Sequence, residues 1–530
     1  MLLVILLGSN KPATKENTGG RLGLATDQSG TAYYVDSQGG NDSNAGTSPG
    51  AAWKTLEKVD ATVFHPGERI LLRSGSVWSG QLWPKGSGAQ GLPITLNMYG
   101  GGVKPVINGD GLVEDAVLLK NQEYWNISNL EVTNHGTGSA TRRGVHVAVE
   151  NYGDAHHIYI RSLTVHDVNG NDDVKVNGGI HFTVVGEKKP SRFVDLRIEN
   201  NDVYHVDRDG ITGWSDEWQR SKWHPSIGVI IRGNILDDIG GDGIVAVATD
   251  GAVIEHNIVG HANQRSAGYD VAIWSWSADN TVMQFNEAYG TKGQRDGEGF
   301  DSDWNSRNTL IQYNYSHDND GGFLLICNEG AQGPRDSAGN TGTIVRYNIS
   351  RDDRTRGIAI AGPVKNSSIY NNTFYVGPQH DVSLLLQAGW QGWADGTSLF
   401  NNIFFVDGSA QFAYGITRGP DGAYRTTPGF GSSTHNVFNS NVYFGRVAPP
   451  DDANASTADP RFAGSGTVGI MSPSPADYQL RRDSPDRRNG KVIRNNGGRD
   501  FWGAPVPSCG GIARGAFQPM ECKAAGRGKR

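Results

Sequence analysis

The chain has 530 residues, a formal net charge of −7 and 19% charged residues. This charge gives no electrostatic case for binding nucleic acid. After the first few residues, no stretch of the sequence approaches the ~20 apolar residues that a membrane span needs. The 73 glycines and 22 prolines are typical of many short strands that are joined by tight turns.

The chain begins with a short apolar run, MLLVILLG, followed by a polar, low-complexity stretch. We interpret residues 1–30 as a signal-like leader and flexible segment, which predicts a secreted, extracellular protein. Cys509 and Cys522 could close a C-terminal loop, as is common in oxidising compartments. Cys327, in FLLICNE, is predicted to be a small buried hydrophobic residue.

The first predicted elements are a strand at AYYV and an amphipathic helix at AAWKTLEKVDATV. Trp53, Leu56 and Val59 share one face of that helix, which suits it to cover the open end of a stack of strands. ERILLRSG and LPITLNMYG are predicted to be the first strands of the stack. The predicted domains are a body with its N-terminal cap over 31–445, an irregular C-terminal cover over 446–523 and a tail over 524–530.

An asparagine between two apolar runs recurs along the chain, and successive clear members are 23 to 34 residues apart. Such a period indicates a stacked array, and these units are too short for two helices. The clear members are Asn234, Asn257, Asn286, Asn314, Asn348, Asn372 and Asn402, and weaker ones are Asn129 and Asn201, with Ser162 in the same slot.

A second recurring element is a glycine-led strand, whose side chains alternate between the core and the outer surface. Asp270 occupies the slot that is glycine in the other strands. The predicted inward row is Val145, Ile180, Ile211, Ile244, Val271, Phe300, Phe323 and Ile358. The predicted outward row is His146, His181, Thr212, Val245, Ala272, Asp301, Leu324 and Ala359.

The coil length, the asparagine in a turn and the strand-turn-strand rhythm resemble the right-handed parallel β-helix of pectate lyases and related carbohydrate-active enzymes. The resemblance covers roughly residues 31 to 520. It includes the opening YYVDSQGGNDSNAGTSPGAAWKTL and the closing DFWGAPVPSCGGIARGAF. It implies an all-β fold, a right-handed parallel β-helix, in which the asparagines stack inside a turn and serve structure.

The unusual outward residues gather in the middle coils, where Asp301 and Asp303 share a strand beside Asp270. Strand geometry predicts about 7 Å between Asp301 and Asp303 and about 8 Å between Asp270 and Asp301. Carboxyl groups so close do not ionise independently, and glycosidic hydrolysis uses one acid and one base or nucleophile. Glu298 and His181 are further catalytic candidates. A solvated acidic face, or a calcium site, is the competing interpretation of these aspartates.

Aromatic and polar side chains near these acids are candidates for binding substrate. Tryptophan faces can stack on sugar rings, although the loop SDEWQRSKWHP could instead fold over them. Asp209 and Asp242 could equally cap turns. The candidate substrate-binding residues are Trp274, Trp276, Trp214, Trp304, Asp242, Asp209, Lys292, Arg295 and Asn328.

The type of reaction is predicted by comparing this sequence with the motifs of lyases and hydrolases that share the fold. Family-nine pectate lyases, which look similar here, carry a lysine soon after Asp-Gly-Phe, whereas this sequence has GFDSDW. The motifs of polygalacturonases are absent in their usual form. We therefore predict a glycoside hydrolase that acts on a poly- or oligosaccharide as a monomer, needs no cofactor and inverts configuration. The alternatives are a calcium-assisted lyase, with Asp301, Asp303 and Asp270 holding the ion, and a non-catalytic glycan-binding solenoid.

Overall fold

A computed structural model describes residues 30–293, 295–329, 337–418, 424–427, 429–464, 474–507 and 511–519. The leader over 1–29, the tail over 524–530, Cys509 and Cys522 lie outside the described residues.

Three long sheets, here called sheets A, B and C, run along the chain, and successive coils each add one strand to each sheet. The strands of sheet A are Ala32–Val35, Arg69–Arg73, Ile94–Tyr99, Trp125–Ser128, Asp154–Arg161, Arg192–Glu199, Ser226–Ile227, Ile230–Arg232, Thr249–Asp250, Val253–Glu255, Val282–Gln284, Leu310–Gln312, Ile344–Arg346, Ser368–Tyr370, Ser398–Phe400 and Val437–Asn439. The strands of sheet B are Val77–Ser79, Val106–Asn108, Glu131–Asn134, Thr164–Val168, Asp202–Val206, Ile235–Ile239, Ile258–Gly260, Glu287–Tyr289, Tyr315–His317, Ile349–Arg351, Thr373–Val376, Ile403–Val406 and Val442–Gly445. The strands of sheet C are Asp115–Lys120, Arg143–Glu150, Gly178–Val185, Asp209–Ser215, Ile244–Val247, Ile273–Trp276, Glu298–Ser302, Gly322–Cys327, Arg356–Ala361, Asp381–Gly389, Ser409–Arg418 and Tyr424–Thr427.

Strands pair with the equivalent strand of the next coil, in parallel, as a β-helix requires. Tyr424–Thr427 is the exception and pairs antiparallel to Ser409–Arg418. A short pair, Ser306–Arg307 with Asn340–Thr341, adds a fourth, two-stranded sheet. The predicted all-β, right-handed parallel β-helix is therefore confirmed.

The predicted N-terminal helix is shorter than expected, because within the described ranges the one α-helix is Leu56–Asp60. The prediction fails at Trp53, whose backbone N–H donates to Tyr34 in an extended pairing. Thr55 then caps the helix by accepting a hydrogen bond from the Lys58 N–H. Trp53, Leu56 and Val59 are nevertheless all buried against the first coils.

The remaining helical segments are 3₁₀ turns, Pro49–Ala51, Arg220–Lys222, Pro475–Tyr478 and Pro485–Arg487. None of the helices in the described ranges is long and apolar enough to cross a membrane.

The recurring asparagines form a continuous hydrogen-bonded ladder inside the turn between sheets A and B. Each member's Oδ1 accepts from the backbone N–H and the Nδ2 of the preceding member, as Asn314 does from Asn286 at 2.9 and 3.1 Å. The ladder runs through Asn201, Asn234, Asn257, Asn286, Asn314, Asn348, Asn372, Asn402 and Asn441.

Two predicted ladder members are wrong by one residue. Leu163, rather than Ser162, donates its N–H to Asn201 and so occupies the ladder slot. Asn129 and Ser162 instead have positive φ values of 58° and 55°. They therefore stand at the left-handed position that precedes the slot, which asparagine tolerates better than most residues.

The apolar core lies between the three sheets, and its row on sheet C differs from the prediction at two strands. Ile244 pairs with Ile273, which pairs with Phe300, which pairs with Leu324. Ile273 therefore replaces Val271 in the inward row. Leu324 is in register with that row, and Phe323 also points into the core, where its ring packs against Phe300 and Phe374. The strand Ile273–Trp276 begins two residues after Val271, whereas Phe323 occupies the slot that is Gly299 in the preceding strand.

The last strand of the stack ends at Gly445. Beyond it, Phe462, Tyr478 and Leu480 are buried against Tyr315 and Phe405 of sheet B. The C-terminal segment thus packs along one side of the β-helix.

Candidate active site

The outer face of sheet C carries the candidate site, and the strand register fixes which side chains are neighbours there. Val245 pairs with Trp274, Trp274 with Asp301, and Asp301 with Leu325. Trp274 and Leu325 therefore stand where the sequence predicted Ala272 and Leu324, because of the same two register shifts. The predicted outward position of Asp301 is confirmed.

Asp301, Asp303 and Cys327 form one compact cluster. Single donor atoms from the three side chains all lie within 4.8 Å of one another. The thiol of Cys327 donates a hydrogen bond to Asp303 Oδ1 at 2.5 Å, and the Trp304 N–H donates to the same oxygen at 2.6 Å. Asp301 is 3% exposed, and its Oδ1 has no hydrogen-bond partner.

The two aspartates differ in their surroundings and therefore in their acidity. Burial and the neighbouring acids Asp303 and Asp296 raise the pKa of Asp301 well above its ordinary value. Burial also raises the pKa of Asp303 to about 6, although the hydrogen bonds from Cys327 and Trp304 oppose that rise. Asp303 is thus the more readily ionised of the two.

Asp296 is a third acid, which acts electrostatically on this cluster, and no sequence pattern distinguished it from its neighbours. It lies directly before the strand that carries Asp301 and is only partly buried. Burial and the charges of Glu298 and Asp303 raise its pKa well above the ordinary value. The next residue is Gly297 with φ +90°, where a Cβ would lie 2.3 Å from the Gly293 carbonyl oxygen. Only glycine allows this turn.

Glu298 forms a buried ion pair and does not face the candidate site. Its side chain is fully buried and forms an ion pair with Arg356 at 2.9 Å. Burial raises its pKa, and the Arg356 guanidinium opposes that rise. The complete burial of Glu298 in this ion pair contradicts the prediction that it is a catalytic residue.

A second charged cluster lies beside the first. Asp270 belongs to this second cluster and pairs with its cations, not with Asp301. Asp270 accepts a hydrogen bond from Arg208 at 2.9 Å and has Lys175 Nζ at 3.4 Å. These cations hold the pKa of Asp270 below its ordinary value despite its burial. The prediction that Asp270 is a third catalytic acid, or completes a calcium site with Asp301 and Asp303, is therefore not supported.

Asp242 and Asp209 belong to this second cluster and are completely buried. Asp242 accepts from Lys175 at 2.6 Å and from the Val271 N–H at 3.0 Å, so it partly serves as a turn cap. Burial raises the pKa of Asp242 to about 6, and burial together with Asp242 raises that of Asp209 further. Their burial contradicts the prediction that they bind substrate directly.

The predicted tryptophan platform is only partly available. Trp274 is 7% exposed, donates its indole N–H to Asp242 and is covered by Lys175, whose Nζ lies 4.7 Å from the ring centre. Trp276 and Trp304 stack with ring centres 4.8 Å apart, and Trp218 packs edge-on against both.

The loop that carries Trp218 therefore folds over part of this surface, as the alternative interpretation predicted. Trp214 is 44% exposed and stays open to solvent. Trp214, Trp276 and Trp304 remain candidates for contacting a sugar.

Four further predicted residues are placed as follows. His181 lies four strands from Asp301 in the same row, about 19 Å away. It is buried, bonds the Asn177 carbonyl, and burial lowers its pKa to about 3, so a catalytic role is contradicted.

Lys292 and Arg295 are exposed, and Arg295 lies over the Tyr269 ring rather than against the acids. Asn328 follows Cys327, but its Nδ2 donates to the Pro363 carbonyl at 2.9 Å.

The residues that sequence reasoning missed are Asp296, Cys327, Lys175, Arg208 and Arg356. Asp296 and Cys327 are close in sequence to predicted site residues, so the signal was the acid-rich run RDGEGFDSD and the strand that follows it. Lys175 reaches Asp242 across 67 residues. No local pattern reveals such a contact.

The fold and site together define a parallel β-helix with a cluster of carboxyl groups on its outer face, an architecture of carbohydrate-active enzymes. The chain is 30% identical, over 93% of its length, to lacto-N-biosidase of Bifidobacterium longum subsp. longum, of which it covers 35%. It thus spans about a third of that relative's length. No protein-family model matches the chain.

Among solved structures, the crystal structure of GH136 lacto-N-biosidase from Eubacterium ramulus superposes with a TM-score of 0.59 and 24% sequence identity. The match covers 79% of this chain and 68% of that one. The complex of XylC with xylose gives a TM-score of 0.49 at 12% identity, covering 92% of this chain and 98% of that chain. The first of these similarities supports the fold.

Proposed function

We propose that the chain is a glycoside hydrolase that cleaves an oligosaccharide on the outer face of sheet C. The observation that carries the proposal is that neighbouring acids differ in the hydrogen bonds that their carboxyl groups accept. Asp303 accepts two hydrogen bonds, whereas no hydrogen bond to the Asp296 or Asp301 carboxyl group is found in the described part of the chain. Neighbouring carboxyl groups whose surroundings separate their pKa values supply the base and the acid of glycosidic hydrolysis.

In this proposal Asp303 is the ionised group, acting as base or nucleophile, because the Cys327 thiol and the Trp304 N–H stabilise its charge. Asp296 is the general acid, because its raised pKa keeps it protonated and its partial exposure lets a glycosidic oxygen reach it. Asp301, buried between acidic neighbours, keeps its proton and stays neutral.

If Asp301, and not Asp296, is the partner of Asp303 in catalysis, the distance between the two carboxyl groups indicates the stereochemistry of the reaction. The carboxyl oxygen of Asp301 and that of Asp303 approach within 4.8 Å. A separation of about 5 to 5.5 Å is typical of retaining enzymes, and about 6.5 to 9.5 Å of inverting ones. For that pair the predicted inversion is therefore not favoured.

The relatives suggest the substrate. Both the curated relative and the superposed crystal structure are lacto-N-biosidases. We therefore propose a lacto-N-bioside as the substrate, with Trp214, Trp276 and Trp304 as the aromatic surface against which its sugar rings stack.

The lyase alternative is disfavoured by the cations near the acids. A lyase base must be neutral before it removes a proton, and Lys175 is held between Asp242 and Asp270, which raise its pKa. Lys292, which precedes the acid-rich run in the sequence, is exposed in a loop. A calcium ion would also need more oxygen ligands than the Asp301–Asp303 pair supplies.

The reaction type is tested by incubating the protein with an aryl lacto-N-bioside and with a panel of glycans that includes uronate polymers. Released phenol or new reducing ends, without the absorbance of unsaturated uronates, are expected. Absorbance that a chelator abolishes would contradict hydrolysis, and binding without turnover would identify a non-catalytic solenoid.

The acid is identified by varying the leaving group. A variant that lacks its general acid keeps activity on an aryl glycoside with an acidic phenol but loses activity on a natural glycan. We expect this pattern for Asp296→Asn and not for Asp301→Asn. The reverse pattern would transfer the acid role to Asp301.

A further inference from the structure

The acid cluster contains a group that hydrolysis does not require, the thiol of Cys327. It is 6% exposed and points at Asp303 from the adjacent strand of sheet C. Asp301 pairs with Leu325, two residues before Cys327, so the three side chains face one point on the outer surface. The buried Oδ1 of Asp301 has no hydrogen-bond partner there.

The donor set suits one class of cation. A thiolate and two carboxylate oxygens are ligands that Zn²⁺ accepts, with Zn–S near 2.3 Å and Zn–O near about 2.0 to 2.2 Å. The three donor atoms lie within 4.8 Å of one another, so small side-chain rotations bring all of them to one ion. Calcium and magnesium prefer six or more oxygen ligands and discriminate against sulfur.

The charges around the cluster also favour a cation. The charged groups with the largest effect on Asp301 are acidic, namely Asp303, Asp296, Glu298 and Asp242. Lys175 and Arg356 are the nearby basic side chains, and both are already in ion pairs, with Asp242 and with Glu298. An incoming cation therefore meets the ionised Asp303 and can take the place of the proton that Asp301 holds.

We propose that Asp301, Asp303 and Cys327 bind one thiophilic divalent cation, with Zn²⁺ as the representative, and that the bound ion blocks the acid cluster. Binding replaces the proton of the Cys327 thiol by a sulfur–metal bond and releases that proton to solvent. Any proton held by the two carboxyl groups leaves in the same way. The cation completes its coordination with water, and no oxidant or reductant takes part.

Inhibition rests on the proposed hydrolase function, but binding does not, so binding is measured first. The full chain is titrated with Co²⁺, a spectroscopic substitute for Zn²⁺. We expect one ion per chain and a near-ultraviolet band from thiolate-to-cobalt charge transfer. The band should disappear in Cys327→Ser and persist in Cys509→Ser/Cys522→Ser, which retains Cys327.

Inhibition is measured next, with each variant compared to its own activity without metal. Zn²⁺ should inhibit the wild type reversibly, with recovery on addition of a chelator. Cys327→Ser, whose hydroxyl can still donate to Asp303, should need at least about tenfold more Zn²⁺ for the same fractional inhibition. Asp301→Asn should weaken Co²⁺ binding but keep the thiolate band. It is the control which shows that a substitution in this cluster does not by itself abolish the band, as misfolding would.

Three outcomes would overturn the proposal: no thiolate band in the wild type, a band that survives Cys327→Ser, or equal fractional inhibition of the wild type and Cys327→Ser. A chain that binds Co²⁺ through Cys327 but hydrolyses no glycan would leave the metal site standing and remove the proposed function.

Discussion

The asparagine ladder makes a quantitative prediction about stability, best seen at Asn314. Asn314 is completely buried, and its Oδ1 accepts from the backbone N–H and the Nδ2 of Asn286. Its Nδ2 donates to the Met283 carbonyl at 2.9 Å and to Asn348 Oδ1 at 3.0 Å. Asn314→Ala removes all four hydrogen bonds from a site that water does not reach.

The loss of stability follows from the buried polar groups that Asn314→Ala leaves without hydrogen-bond partners. The Asn286 N–H stays buried without its acceptor, which costs about 1 to 3 kcal/mol. The three other lost hydrogen bonds each contribute about 0.5 to 1.5 kcal/mol. We therefore expect Asn314→Ala to lower the free energy of unfolding by about 2.5 to 7.5 kcal/mol.

The assay is urea unfolding followed by circular dichroism, with Asn454→Ala as the matched control. Asn454 is exposed, and its side chain makes one hydrogen bond, to Asn439. The control should change the free energy of unfolding by less than about 0.5 kcal/mol. Equal effects of the two substitutions would refute the view that the ladder holds the coils together.

Three further predictions concern the site. The pKa of Asp301 is raised in the folded chain, so its contribution to stability is present below its ordinary pKa of 3.8 and is lost as pH rises through the raised value. Asp301→Asn should therefore raise the urea midpoint more at about pH 8 than at about pH 4, and an equal gain at both would contradict the assignment. Since Asp303 must be ionised, kcat/KM should fall as pH drops through about 6, and Lys175→Met should move that fall to higher pH because Lys175 lowers the pKa of Asp303. An unmoved pH profile would show that Lys175 does not act on the site. Trp214→Ala should raise KM a few-fold and leave kcat unchanged if its exposed indole stacks on sugar, and an unchanged KM would remove it from the binding surface.

The architecture could be predicted from the sequence because it repeats. The ladder asparagines recur at 23 to 34 residues, and each obeys the same local rule of an apolar run on either side. The errors arise where the rule depends on register. Asn129 and Ser162 precede the slot by one residue, and Val271 precedes the inward position of its strand by two. Phe323 is buried in the core as predicted, but it stands one residue before the row of Leu324.

The site was harder to predict because its contacts join distant coils. Asp301 and Asp303 were visible, since acids at alternating positions of one strand break an apolar pattern. Asp270 has the same residue type and lies nearby, yet Arg208 and Lys175 engage it across 62 and 95 residues. His181 was placed in the right row, but only the number of intervening strands shows its distance from Asp301.

The central claim is that the acid cluster on sheet C hydrolyses a glycosidic bond, and Asp303 tests it most directly. The measurement is kcat/KM on an aryl lacto-N-bioside for the wild type, Asp303→Asn and the exposed control Asp451→Asn. We expect Asp303→Asn to lose about 10³-fold or more, with a folded circular dichroism spectrum, and the control to match the wild type. Hydrolysis by Asp303→Asn at the wild-type rate would contradict the account.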